Sequence, residues 1–320
     1  MNVSAVLAFA ATLLERFIGY PRSLVGAIGH PVMWMGKLID VLERRANNPN
    51  LSAARRRRNG FVMLAILLAA TAFVSLLLVA VLRDVPFGWA IEIFLASTLI
   101  AQKELGSAVK NVADSLRHSL AEGRRAVSHI VGRDPEQLDE DGVSRAAIES
   151  LAENTSDGII APVFFLLLFG LPGVAIYKAI NTADSMVGHK NERFSDFGFA
   201  SAKLDDIANF IPARITAGLF AISAQLMPDF DHKAAWRSAS RDAKNHKSPN
   251  AGWPEAALAG AIGVQLGGAR DYEGETVDLP TMGEGKTTVD ADDIDRALKL
   301  YSFSLWGMLG VLFVLALFFG

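Results

Sequence analysis

The chain has 320 residues, 51% hydrophobic and 20% charged, with no cysteine and a net charge of -3. So much apolar side chain excludes a disordered chain, and the missing cysteine excludes a disulfide scaffold, thiolate-ligated zinc or iron–sulfur clusters and a cysteine nucleophile. Thirty-one basic residues against 34 acidic ones also argue against a bulk nucleic-acid binder.

The apolar residues are bunched. Residues 3–14 form a short apolar segment without the basic start and small-residue cleavage site of a signal peptide, so it reads as a retained span. Gly60 to Leu82 carries no charge, and only Thr71 and Ser75 are polar. At about 1.5 Å per residue this run covers a hydrocarbon core of roughly 30 Å. Residues 87–101, apolar apart from Glu92 and two hydroxyl residues, follow across the Arg83–Pro86 turn and predict a helical hairpin. Residues 158–180 are interrupted by Gly170-Leu171-Pro172-Gly173. Proline removes a helical donor and glycine loosens the backbone, so one kinked span and two half-helices that enter and return fit equally. Residues 207–226 contain Asn209 and Arg214. An arginine at the bilayer centre costs at least ~2.5 kcal/mol, so Arg214 is expected to face protein, ligand or water. Residues 301–320 are uncharged, with Tyr301 and Trp306 where an interfacial belt would lie.

Between the apolar runs lie polar segments 15–59, 102–157, 181–206 and 227–300. Nine Lys/Arg fall between Glu15 and Asn59, among them Arg55 to Arg58 just before the strongest span. Such a run reads as a positive-inside anchor rather than a nucleic-acid patch, and the longer polar segments are accordingly assigned to the cytoplasm. Lys103–Gly132 shows amphipathic spacing, Gln137–Asn154 reads as another helix, and strand signals are scarce. The expected fold is all-α and polytopic. A single integral membrane domain over 1–320 would hold four to five transmembrane helices, broken or re-entrant helices and cytoplasmic amphipathic helices.

Four constellations carry chemistry. Glu149, Glu153 and Asp157 recur every four residues and share one helix face, with Asn154 beside them. Like charges at that spacing repel, so a compensating cation such as Mg²⁺ is expected; the plain alternative is a solvated acidic face. Asn181 to Lys190 closes the broken apolar stretch, with Asp184 as a candidate metal ligand and Lys178, Lys190 and Arg193 as candidate phosphate binders. The plain alternative there is a polar loop with a helix cap. Lys203 to Arg214 places Asp205 and Asp206 at the start of an apolar helix that also holds Asn209 and Arg214, with a kink expected at Pro212. Ionisable groups inside an apolar segment are functional by default; the plain alternative is a capped helix start with the arginine snorkelling to the interface. Ser248 to Glu255 is a turn-rich stretch that would present Asn250 and Glu255.

Two near-motifs are rejected. Gly283–Thr288 ends like a P-loop, but the glycine required five residues before Gly285 is Pro280. Glu153–Pro162 departs in spacing, first acid and final residue from the signature of membrane alcohol phosphotransferases. Of the six histidines, His30 and His189 stand where either could touch a phosphate, and a structural role is the simpler reading for each.

Taken together, the chain resembles the adenosylcobinamide-phosphate synthase family of cobalamin biosynthesis, the CbiB/CobD family. The matching pieces are Gly29-His30-Pro31-Val32 with Met35-Gly36, Glu149–Asp157 with Ala161-Pro162, Lys178–Met186, Lys203–Arg214 and Ser248–Glu255. One departure lies near the start, where Glu15-Arg16-Phe17-Ile18-Gly19-Tyr20-Pro21 stands for the family's Asp-Arg-x-x-Gly-Asp-Pro. The resemblance implies a bacterial inner-membrane enzyme with its active site facing the cytoplasm. It would join adenosylcobyric acid to (R)-1-amino-2-propanol O-2-phosphate, using ATP and Mg²⁺. Other implied partners are membrane lipid, further membrane enzymes of late cobalamin assembly and a second copy of the chain; nucleic acid is not among them. On this reading Glu149, Glu153, Asp184, Asp205, Asp206 and Arg214 are catalytic. Glu149, Glu153, Asp157 and Asp205 hold metal. His30, Asn154, Asn181, Lys190, Arg193, Asn209, Asn250 and Glu255 bind substrate. The rival readings are a non-catalytic membrane sensor of the AmpE type and a Mg²⁺-dependent membrane phosphotransferase.

Overall fold

Helices account for nearly all regular structure in the computed structural model, which describes residues 3–20, 26, 29–132, 135–268, 270–272, 275–277 and 280–319. Pro21, the last residue of the departing Glu15–Pro21 stretch, and Gly320 lie outside the described residues. In chain order the helices are α1 (Val3–Ile18), α2 (Pro31–Ala46), α3 (Ala53–Arg83), α4 (Gly88–Ser97), α5 (Gln102–His118), α6 (Leu120–Val127) and α7 (Glu140–Thr155). After a π-turn at Ser156–Ile160 come α8 (Ala161–Val187), α9 (Phe199–Ala208), α10 (Phe210–Gln225), α11 (His232–Asp242), α12 (Gly252–Ile262) and α13 (Ala291–Phe319). Strands β1 (Arg270–Tyr272) and β2 (Glu275–Val277) pair antiparallel, with Asp271 opposite Thr276.

The fold is all-α and polytopic. Among the described residues three helical stretches pass by length and composition as able to cross a membrane, α3, the run Glu140–Val187 and α13, the second of them broken by a reversal at Gly170. A fourth is added if α9 and α10 form one broken span. The expected four to five spans meet this count at four; α1 and α4, with 16 and 10 residues, are not among them. At 1.5 Å per residue they reach only about 24 and 15 Å, short of a core of roughly 30 Å.

The chain divides into two compact units. The first comprises Met1–Ala101, Ala161–Asn209 and Leu312–Gly320. Its core gathers Ile39 of α2, Met63 and Leu67 of α3, Ala179, Ala183 and Val187 of α8, Phe197 and Ala200. Ala179, Ala183 and Val187 recur every four residues, so this small-residue face of α8 packs inward and leaves Tyr177, Asn181 and Asp184 on another face.

The broken stretch resolves in favour of two half-helices. Gly170 takes φ 64° and ψ -156°, a conformation open to glycine without steric cost. Beyond it the chain reverses: the Phe165 and Tyr177 rings stack with centroids 5.1 Å apart, whereas twelve residues of straight helix would separate them by about 18 Å. The returning half approaches so closely that a Cβ on Gly173 would lie 2.5 Å from the Phe165 carbonyl oxygen.

The second unit comprises Gln102–Ile160 and Phe210–Val311. The amphipathic pattern over 103–132 becomes two helices because Ser119 adopts an extended φ/ψ and its Oγ accepts from Glu122 N, starting α6 afresh. Leu105, Val109, Val112 and Leu116 form the buried face of α5, and Asp139 caps α7 through Gly142 N. Helix α12 is buried from Pro254 to Ile262, packed among α7, α10 and α11. Tyr301 is not an interfacial residue: it is 4% exposed, and its hydroxyl donates to the Gln102 carbonyl. The kink expected at Pro212 lies three residues earlier, at Asn209, where α9 stops. Pro212 sits in the first turn of α10, where a missing N–H costs no hydrogen bond.

A Gly173→Val substitution drives a branched side chain into the Phe165 carbonyl and is expected to cost about 1–3 kcal/mol. Thermal unfolding in detergent measures it, and an unchanged midpoint would contradict the close-packed reversal.

Candidate functional site

In the first unit, α8 and α9 bring two polar stripes together. Tyr177, Asn181 and Asp184 lie at i, i+4 and i+7, and Asp205 and Asn209 at i and i+4. The Tyr177 hydroxyl donates to Asn209 Oδ1 at 2.8 Å, and Asn209 Nδ2 donates to Asp205 Oδ2 at 2.9 Å. Asn181 Nδ2 reaches Asp205 Oδ1 at 3.5 Å. Position 177 pairs with 209 and 181 with 205, so the two helices run antiparallel. Asp205 and Asn209 are buried. The charges of Asp184, Asp205 and Asp206 act on one another, and Lys203 Nζ stands 3.1 Å from Asp206 Oδ2. The second and third sequence constellations therefore form one carboxylate group. Tyr177, its inner hydrogen-bond donor, was missed because an aromatic residue in an apolar run reads as core.

In the second unit, the first and fourth constellations meet around a cavity of about 350 Å³. Helix α7 contributes Glu149, Glu153 and Asn154, the turn after α11 contributes His246 and Lys247, and α12 contributes Glu255. Glu149 Oε1 accepts the Gly267 amide at 3.0 Å. Asn154 Nδ2 donates to Ser150 O and Oγ, and Ser150 Oγ donates to Ile130 O. Glu255 is 3% exposed, with its Oε1 3.8 Å from His246 Nε2. The other ring nitrogen of His246 accepts from Ser248 N at 3.0 Å. Two glutamates one turn apart, a third from another helix, an imidazole and an ammonium thus line one wall-to-wall space. Sequence reasoning passed over His246 and Lys247; the only signal was their position just before Ser248-Pro249.

Asp157 falls on the π-turn, whose i→i+5 bonding breaks the four-residue recurrence, and it does not line this cavity. Arg214 faces protein, as its insertion cost requires: it donates to Phe210 O, reaches Asn250 Oδ1 at 3.4 Å and lies over the Phe210 and Trp253 rings. His30 caps α2, its Nδ1 accepting from Val32 N and its Nε2 2.9 Å from the Thr98 carbonyl, so both ring nitrogens serve backbone. Lys190 is exposed on the loop after α8. Arg193 holds Glu43 through Nε and Nη2 at 3.1 and 2.8 Å. Burial pushes the Glu43 carboxyl up, but the Arg193 guanidinium and the Asn47 amide outweigh it and hold it below its ordinary value. In the rejected P-loop segment Lys286 pairs with Asp290 and Asp293. Among the described residues no three His, Asp or Glu side chains converge closely enough to enclose a cation.

The chain is thus an all-α membrane protein with two carboxylate groups, one of them lining a cavity. The sequence matches the CobD/Cbib protein family over residues 8–301, and the chain belongs to that family. It is 48% identical to the cobalamin biosynthesis protein CobD of Brucella anthropi, over 99% of this chain and 98% of that protein. It is 46% identical to the protein of the same name from Sinorhizobium fredii, over 91% and 90%. With the Rhodobacter capsulatus protein the identity is 42% over 96% of each. No solved structure matches the chain.

Tyr177→Phe leaves Asn209 Oδ1 buried without its donor and is expected to cost about 1–3 kcal/mol, read as a lower unfolding midpoint. A second expectation concerns acid. A carboxyl whose folded pKa lies below its unfolded value of about 4.3 stabilises the fold above that value, and this support is lost as pH falls through the folded pKa. Glu43→Gln should therefore lower stability at neutral pH and flatten the loss on acidification. Arg193 is 64% exposed, so the effect should stay near 1 kcal/mol or less. Midpoints recorded from pH 3 to pH 7 test both parts.

Proposed function

We propose that this chain acts in cobalamin biosynthesis as an adenosylcobinamide-phosphate synthase, joining a carboxylate of adenosylcobyric acid to the amine of (R)-1-amino-2-propanol O-2-phosphate. Membership of the CobD/Cbib family supports the pathway. The cavity lined by Glu149, Glu153, Glu255, His246 and Lys247 is the observation that carries the chemistry. An amine reaches the cell protonated and attacks only after losing that proton. A buried carboxylate such as Glu255, beside an imidazole, can hold the ammonium and accept its proton, a role worth about 10²–10⁴-fold.

The acid partner needs activation, because a free carboxylate is a poor acyl donor. With ATP as co-substrate it becomes an acyl phosphate and ADP leaves; the amine then forms the C–N bond as phosphate departs. Mg²⁺, when bound, would neutralise phosphate charge during the transfer. It is usually held by one or two carboxylates with substrate phosphates completing its shell. Glu149 and Glu153, one turn apart on α7 at the wall of the same cavity, fit that demand without a protein-only cage. The enzyme acts at the cytoplasmic face of the inner membrane on this reading, since ATP is supplied there.

Purified protein given adenosylcobyric acid, aminopropanol phosphate, ATP and Mg²⁺ should yield a corrinoid amide detectable by mass. Glu255→Gln and Glu153→Gln should each lower its rate about 100-fold or more. No product from the unaltered protein would overturn the reading, and full activity in both variants would overturn the site.

A further inference from the structure

A second concavity in the first unit, about 740 Å³ in volume, lies where the turn between α2 and α3 meets the loop between α8 and α9. Its wall carries Arg44, Arg56 and Arg193 together with Asn47 and the carboxylates Glu43 and Glu192. The three guanidiniums are presented differently. Arg193 is held from one side by the bidentate contact with Glu43, which leaves donors of its five-donor fork on a side chain that is 64% exposed. Arg56 is held more tightly, 12% exposed, with Nη2 donating to the Glu192 carbonyl and to Asp196 Oδ2. Its Nε is buried and has no partner. Arg44 stands exposed at the rim, its charge acting on Glu43.

Planar guanidinium forks match phosphate oxygens two at a time, and the volume falls within the usual range of ligand sites. We propose that this cavity binds the phosphate groups of an anionic ligand. The exposed guanidiniums of Arg44 and Arg193 supply its donors, and Glu43 holds the Arg193 fork in place. The binding claim does not depend on the amide-forming reading. Its ligand chemistry is shared by a nucleotide, a small phosphate ester and an anionic lipid headgroup.

The full chain in zwitterionic nanodiscs would be titrated with ATP and with aminopropanol phosphate, and the same chain would be compared in nanodiscs containing phosphatidylglycerol. The variant pair is Arg44→Ala with Arg193→Lys, which keeps a charge opposite Glu43. At least one probe should bind the unaltered chain, and the double variant should weaken it at least tenfold, while Lys110→Ala in the other unit leaves it unchanged. A response to ATP alone marks a polyphosphate, to the ester alone a monophosphate, and to the phosphatidylglycerol discs alone a headgroup. If the double variant fails to fold, the exposed Arg44→Ala alone should still weaken binding several-fold. Binding by none of the three probes, or equal affinity in the unaltered and altered chains, overturns the proposal.

Discussion

A carboxylate cannot be left unpaired among apolar helices, and Asp205 shows how the first unit meets that constraint. Both oxygens are engaged, one by Asn209 and the other by Asn181, and Asn209 is in turn held by Tyr177. Removing water from a carboxyl group is costly, and hydrogen bonds to both oxygens offset part of that cost. These contacts need α8 and α9 in one antiparallel register. A slip of one residue would turn the polar stripe of either helix into the core of Ile39, Met63 and Phe197. The polar network thus specifies a register that alanine-rich apolar packing would define only loosely.

The reversal at Gly170 belongs to the same logic. A straight continuation of the apolar run from Ala161 would carry Asn181 and Asp184 far along a single axis. The turn brings the second half back beside the first, sealed by Phe165 against Tyr177, so that the residues after it enter a protein-lined environment. Broken helices survive at membrane depth only with such cover. In the second unit the equivalent device is the nearly all-buried α12. It carries Glu255 to the Glu149–Glu153 face of α7 with no intervening strand or repeat to announce the meeting.

Much of this was legible in the residue order. Long uncharged runs mark α3 and α13 because helix length and hydrocarbon thickness are commensurate. Glycine and proline at 170–173 marked the break, since their backbone preferences are local. The four-residue recurrence of Glu149 and Glu153 survives in the fold, whereas that of Asp157 ends at a π-turn that no local preference announces. Tyr301, placed at an interface by its position in an apolar run, is buried against Gln102, because a hydroxyl serves a carbonyl as readily as a headgroup. His30 similarly proved to be a helix cap, a role that a histidine before proline does not reveal.

What the sequence by itself determined is the helical class and the placement of the long apolar spans, since side-chain types and short periodicities are properties of the chain alone. The tertiary structure decided which charges keep company. Glu43 with Arg193, Glu149 with the Gly267 amide, and His246 with Glu255 are pairings set by distances across packed helices. Electrostatic and hydrogen-bond energies depend on those distances in space and are blind to separation along the chain.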